Sequence, residues 1–279
     1  MYRVWVAGAA GRLGKELARL LSGRDFELLC TDLEDLDITS AQDVIGFADL
    51  KHPDVMINCA GMTDVAACEQ EPERAFKVNA LGARNMATAA RKIGARLVYI
   101  STDDVFSGEQ NTPYNEFEAP APKTVYGKSK LAGEGFVREL APKHIIVRSG
   151  WVYGEGKNFL TALLAAAQKG EPISVANDQF GCPTSATELA KLVICLMDSA
   201  EYGLYHGACE GCCSRYEFAQ EILRLTGKQV PLLPVPATEI AGAPERPSYT
   251  VLDNFMLRIS GIHRMANWKD ALASYLRSR

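Results

Sequence analysis

Apolar and polar positions alternate along the first half of the chain between a strand period and a helix period. Residues 2–7 (YRVWVA) are apolar and β-prone, and a glycine turn leads from them into a run at 13–21 with apolar residues at helical spacing. Residues 27–30 read as a second strand, 40–50 as a helix and 55–58 as a third strand. The Ala-rich stretch 66–92 has helical periodicity, with Pro72 marking an interruption or a start. Residues 97–101 are the next strand, a helix carries Val125-Tyr-Gly-Lys-Ser-Lys130, and 145–148 follow as a strand. Strands alternating with helices imply βαβ units with right-handed crossovers. The fold class expected is α/β, a Rossmann-type doubly wound parallel sheet.

Beyond Arg148 the pattern is less regular. Helices are predicted at 158–169, 187–197, 214–225 and 268–276. The proline-rich stretch 230–247 has no low complexity, so it reads as ordered loop. The domain division expected is a dinucleotide-binding domain over 1–150. A smaller, discontinuous C-terminal substrate lobe then occupies most of 151–279, with some segments returning to the first domain.

Composition narrows the partners. The 279 residues are 47% hydrophobic and 23% charged, with a formal net charge of −4, ordinary for a globular protein. No basic stripe appears, so nucleic acid and anionic membrane are poor partners. The apolar stretches fall short of the ~20 residues that span a bilayer. A strand and glycine turn at the N-terminus do not make a signal peptide, and a cytoplasmic protein is expected. Cys30, Cys59 and Cys195 lie in apolar segments and read as small core hydrophobes. Cys209, Cys212, Cys213 and His206 imitate a metal cluster, but no second CxxC or HxxxH follows, and no metal site is read there.

Candidate chemistry begins at Gly8-Ala-Ala-Gly11-Arg12-Leu13-Gly14. Glycines between a strand and a helix permit a tight turn and close approach of backbone amides to a pyrophosphate. Asp32 closes the second strand 18 residues beyond Gly14, where a carboxylate takes the ribose hydroxyls of NAD and repels a 2′-phosphate. Arg12, inside the turn, could instead reach a phosphate. The cofactor reading is therefore NADH or NADPH. Asp37 and Ile38 offer an adenine contact, or merely a cap and a core residue. Tyr126 and Lys130 are four residues apart, which on a helix puts them about 5–6 Å apart at Cβ. An ammonium there would favour the phenolate and make a proton donor. By itself the spacing also suits a solvated pair on a surface helix.

The glycine turn, Asp37-Ile38, Asn58-Cys-Ala-Gly61, Ser101-Thr102-Asp103 and Tyr126/Lys130 occur in the order of the extended short-chain dehydrogenase/reductases. ISTDDVFSG, PYNE, VYGKSKLAGE, RSGWVYGEGKNF, DQFGCPT, YHGACEGCCSRYEFA and RPSYTVLDN together resemble the dTDP-4-dehydrorhamnose reductase family. The resemblance implies a catalytic trio, Thr102, Tyr126 and Lys130. It places Gly11, Arg12, Leu13, Asp37, Ile38, Gly61, Met62 and Thr63 around the cofactor. Thr102, Asp103 and Trp151 would face the sugar, with Gln179 and Arg246 in the substrate lobe. The activity implied is NAD(P)H-dependent reduction of the 4-keto group of a nucleotide-linked 6-deoxysugar; as a separate expectation, the assembly is a homodimer. One departure stands out, Asp104 where the family usually has tyrosine. It points to the same sugar site and resembles the acidic residue of sugar-nucleotide 4,6-dehydratases. A dehydratase or epimerase with tightly held NAD is thus one alternative. A non-catalytic regulatory subunit of the methionine adenosyltransferase type is the other.

Overall fold

The computed structural model describes residues 2–240, 242 and 244–278. β1 (Arg3–Ala7) runs through the glycine turn into α1 (Arg12–Leu21), whose buried Leu13, Leu17 and Leu21 recur every four residues. β2 (Glu27–Thr31), α2 (Ala41–Lys51) and β3 (Val55–Asn58) follow, with Ser40 capping α2 by accepting from the Asp43 amide.

The stretch 66–92 is not one helix. It divides into α3 (Val65–Gln70), α4 (Pro72–Phe76), a π-helical turn at Lys77–Leu81, and α5 (Gly82–Ile93). Pro72 has no amide to give and opens α4, where the first amides need no helical partner. β4 (Arg96–Thr102), α6 (Val125–Leu140) and β5 (His144–Ser149) complete this half.

Shorter elements make up the rest: β6 (Val152–Tyr153), α7 (Phe159–Ala167), β7 (Ile173–Ala176), β8 (Phe180–Gly181) and β9 (Thr184–Ser185). Then come α8 (Ala186–Asp198), β10 (Gly203–His206), β11 (Cys213–Ser214) and α9 (Arg215–Thr226). β12 (Leu232–Val235), α10 (Phe255–Ser260) and α11 (Trp268–Arg277) end the chain. β12 lies inside the stretch expected to be loop and pairs with β7, with Pro234 inside the strand and Pro231 and Pro236 at its ends. Ala241 and Ala243 of that stretch lie outside the described residues.

Six parallel strands form the central sheet in the order β10-β5-β4-β3-β1-β2. The chain leaves β1 toward one edge and returns across it to β3. The reversal between β1 and β3 opens a crevice at the carboxyl ends of the strands. Side chains alternate across the sheet. Val4, Val6, Val55, Ile57, Ile145 and Val147 pack under α1, α8 and α9. Trp5, Ala7, Met56, Leu97, Tyr99 and Ile146 pack against α2, α5 and α6. Both faces are covered, which is why these strands read as nearly continuous apolar runs.

The cysteine expectations need correcting. Cys30 is exposed, since it sits on the edge strand β2, while Cys59 and Cys195 are only half-buried. Cys209 and Cys213 are buried and Cys212 is exposed. Among the described residues no group of three His, Cys, Asp or Glu side chains is placed to hold a metal, and no helix is long and apolar enough to cross a membrane.

Candidate active site

The glycine turn closes against the switch point. Gly8 has φ +79°, and a Cβ there would lie 2.5 Å from the Ala60 amide nitrogen at the end of β3. A Cβ on Gly14 would lie 2.2 Å from the Gly8 carbonyl oxygen. Only glycine lets the turn fold this tightly onto the start of α1. The Asp32 carboxylate accepts from the Ala10 amide (2.8 Å) and the Leu33 amide (2.8 Å), so it ties β2 to the turn. Asp37 accepts from the Thr39 amide and hydroxyl, and Asn85 holds the Ile38 and Thr39 carbonyls. A pocket of about 440 Å³ is walled by Gly8, Gly11, Asp32, Asp37, Ile38, Gly61 and Met62, with Arg74 at its rim.

A second cleft of about 520 Å³ shares Gly11, Cys59, Ala60 and Gly61 with the first and continues over the strand ends. Its wall includes Arg12, Leu13, Gly14, Thr63, Thr102, Asp103, Tyr126, Lys130, Trp151, Arg215 and Arg246. The two cavities form one elongated groove. Its glycine-lined cradle, which a Cβ would fill, and its run of backbone amides suit a dinucleotide.

The helix α6 begins at Thr124, whose hydroxyl accepts from the Gly127 amide at 2.9 Å. The first two turns carry Tyr126, Ser129 and Lys130 toward the strand ends. Gly127 and Gly133 allow close packing, because Cβ atoms there would lie 2.1 Å from the Asp104 carbonyl oxygen and 2.3 Å from the Tyr99 hydroxyl. Lys130 is 4% exposed and its Nζ stands 4.1 Å from the centre of the Tyr99 ring. Burial pulls the Lys130 ammonium down to about 7, against the opposing pull of Glu134 and Cys59. Glu134, one turn further on, is fully buried and accepts from Ser101 (2.6 Å) and twice from Arg148 (2.8 Å each).

Tyr126 departs from expectation. Its phenol is pushed well above its ordinary range by burial and then by the Asp104 carboxylate, with a Thr102 hydrogen bond and Arg246 opposing. The lowering expected from Lys130 is not seen, because the half-buried phenol loses water and stands beside two carboxylates. Thr102 donates to Asp103 (3.1 Å) and accepts from the Asp104 amide (3.2 Å). Asp103 is buried, accepts from Thr250 (2.6 Å), and is raised to about 6 by burial and by Asp104, with Thr250, Arg246 and Thr102 opposing. Asp104 pairs with Arg246 at 2.8 Å.

Trp151 adopts φ +48°, a left-handed conformation uncommon outside glycine. A Cβ on Gly181 would lie 2.4 Å from its indole, so that glycine makes room for the ring. The Arg215 guanidinium stacks 3.5 Å from the Trp151 ring centre. Gln179 and Asp104 do not wall the cleft. The Gln179 carbonyl accepts from the Arg215 amide and supports that residue from behind.

Three participants were missed in the sequence. Asn79 sits in the π turn, accepts from the Met62 amide (2.8 Å) and donates to Ser129 (2.9 Å), joining the cofactor loop to α6. A single asparagine in an Ala-rich run was its only signal. Arg215 and Thr250 each lay within a family motif, YHGACEGCCSRYEFA and RPSYTVLDN, without being singled out.

Parallel sheet, glycine cradle and a Thr/Tyr/Lys cleft define a short-chain dehydrogenase/reductase of the extended type. More narrowly, the chain belongs to the family described as RmlD substrate binding domain, which matches residues 2–279. It is similar to a dTDP-4-dehydrorhamnose reductase of Clostridium acetobutylicum ATCC 824, with TM-score 0.97, 42% identity and 99% of each chain covered. A dTDP-4-dehydrorhamnose reductase of Bacillus anthracis str. Ames, solved in complex with NADP, aligns with TM-score 0.96 and 39% identity over 100% of this chain and 99% of that one. The spore coat polysaccharide biosynthesis protein SpsK of Bacillus subtilis (strain 168) is 38% identical over 100% of this chain and 98% of its own length.

Proposed function

We propose that this chain is an NAD(P)H-dependent reductase of the 4-keto group of a nucleotide-linked 6-deoxysugar, with dTDP-4-dehydro-L-rhamnose as substrate and dTDP-L-rhamnose as product. The observation that carries this is the convergence of Thr102, Tyr126 and Lys130 on the cleft that continues from the glycine cradle. Two of the relatives named above, those of Clostridium acetobutylicum and Bacillus anthracis, are dTDP-4-dehydrorhamnose reductases.

A nicotinamide dinucleotide held in the groove would supply a hydride to the keto carbon. Tyr126, held protonated by its surroundings, gives its proton to the carbonyl oxygen, and Thr102 holds that oxygen by its hydroxyl. Lys130 offers a positive charge to the phenolate that remains and donors to ribose hydroxyls. Gly8, Gly11 and Gly14 would cradle the dinucleotide's pyrophosphate with Arg12 beside them, and Asp32, Asp37, Ile38, Gly61 and Met62 would hold the adenosine end. Trp151, Arg215 and Arg246 meet the sugar nucleotide, the two arginines its diphosphate. A homodimer is the assembly we assign, checked by light scattering. The cytoplasm is the compartment, in keeping with eight free thiols.

Incubation with the ketosugar and NADPH or NADH should deplete absorbance at the nicotinamide band in proportion to sugar reduced. Failure with both cofactors sinks the assignment. Turnover without added reductant by protein that carries NAD would favour the dehydratase or epimerase chemistry instead.

A further inference from the structure

Asp104 differs from Glu134, another buried carboxylate of this region. Glu134 is closed off, with both oxygens bonded to Ser101, Arg148 and Arg138. Asp104 is 1% exposed, yet only Oδ1 is engaged, by the Nη2 of Arg246 at 2.8 Å. Its Oδ2 is buried without a hydrogen-bond partner among the described residues. An uncompensated buried carboxylate oxygen is costly and concentrates at working sites.

Arg246 reaches it from 142 residues away in sequence, on a segment whose neighbour Glu245 is exposed, and its own side chain is 28% exposed. Arg215 faces the same cleft and has no room to retreat, being stacked on Trp151 and 5.2 Å from the Phe159 ring centre. Two guanidiniums in one cleft repel, and burial followed by the Arg246 charge brings Arg215 down to about 9. The freer of the two, Arg246, would swing toward water unless an anion held it in.

We propose that Asp104 is a positioning residue for the substrate: its carboxylate draws Arg246 across the mouth of the cleft and holds it beside Arg215, so that both meet the diphosphate of the nucleotide sugar. This rests on the nucleotide-sugar reading above and assigns a task to the residue that stands where the family usually has tyrosine. Tyrosine could not form this ion pair. The backbone amide of Asp104 donates to the Thr102 hydroxyl whatever the side chain, so removing the carboxylate leaves that contact in place.

The test is calorimetric titration of the full-length protein, loaded with NADP, with thymidine diphosphate. Asp104→Asn keeps the shape and leaves no buried charge. Arg246→Gln retains a donor for Asp104. Asp104→Asn should weaken thymidine diphosphate binding by roughly tenfold, and should raise KM for the ketosugar nucleotide by more than it lowers kcat. In the Arg246→Gln background the same change should cost less than about twofold, because the residue it positions is already gone. Wild-type affinity in Asp104→Asn, losses that add across the two sites, or a loss confined to kcat would overturn the proposal. If the wild-type protein did not bind thymidine diphosphate, the nucleotide-sugar reading would fall and take this one with it. Binding by the wild type without coupling would remove Asp104 alone.

Discussion

At the scale of single residues the site separates two protons that the sequence had run together. Tyr126 keeps its proton far into the alkaline range, so it enters the reaction as an acid. Tyr126→Phe leaves the ring to pack and removes only the donor. Turnover should fall by about 10²–10⁴-fold while NADPH affinity barely moves, as steady-state kinetics and fluorescence titration would show. Lys130 titrates near neutrality because burial disfavours its charge. It is charged below about 7 and neutral above, so the rate of ketosugar reduction should decline as pH rises through about 7. The limb belongs to Lys130 if Lys130→Met, slower at every pH, no longer shows it. A limb that survives in that variant assigns the ionisation elsewhere.

Elements matter here through how closely they approach. Helix α6 can bring Tyr126 to Thr102 only because Gly127 lies against the Asp104 backbone. Alanine is the better helix former, so Gly127→Ala should leave α6 helical by circular dichroism. Its Cβ would nonetheless collide with a carbonyl oxygen at 2.1 Å and push the first turn of α6 away from β4. A displacement near 1 Å is worth about 10²-fold, and kcat should fall by that order with melting temperature only modestly lower. Unchanged kcat would mean that the trio tolerates a looser helix. The π turn before α5 belongs to the same scale. One extra residue in the turn gives Asn79 its two-sided contact with Met62 and Ser129, where a regular helix would rotate it away.

For the whole molecule, the groove runs across the sheet from the β2 side to the segments after residue 150. A ligand filling it braces parts of the chain that are remote in sequence. NADPH at a hundredfold above its dissociation constant should stabilise the fold by about 2.7 kcal/mol. For a chain of this size that is a rise of roughly 5–10 °C in melting temperature, read by differential scanning fluorimetry. Gly14→Ala, whose Cβ would sit 2.2 Å from the Gly8 carbonyl, should lose most of that rise. An equal rise in the variant would remove the cradle from the account of binding.

What the sequence by itself determined was local. Alternating periods placed the β/α units, glycines between β1 and α1 placed the cradle, and four-residue spacing put Tyr126 and Lys130 on one helix face, since neighbours along the chain dictate each of these. Short strands such as β10 and β12 escaped because a glycine opens one and a proline sits inside the other, residue types that read as loop. Tertiary structure alone decided which charges share the cleft. It brought Arg246 and Thr250 to the two aspartates from more than a hundred residues away and set Arg215 on Trp151. It also reversed the expected shift at Tyr126, because a pKa answers to burial and to whichever charges folding assembles around it, and the sequence fixes neither until the chain has packed.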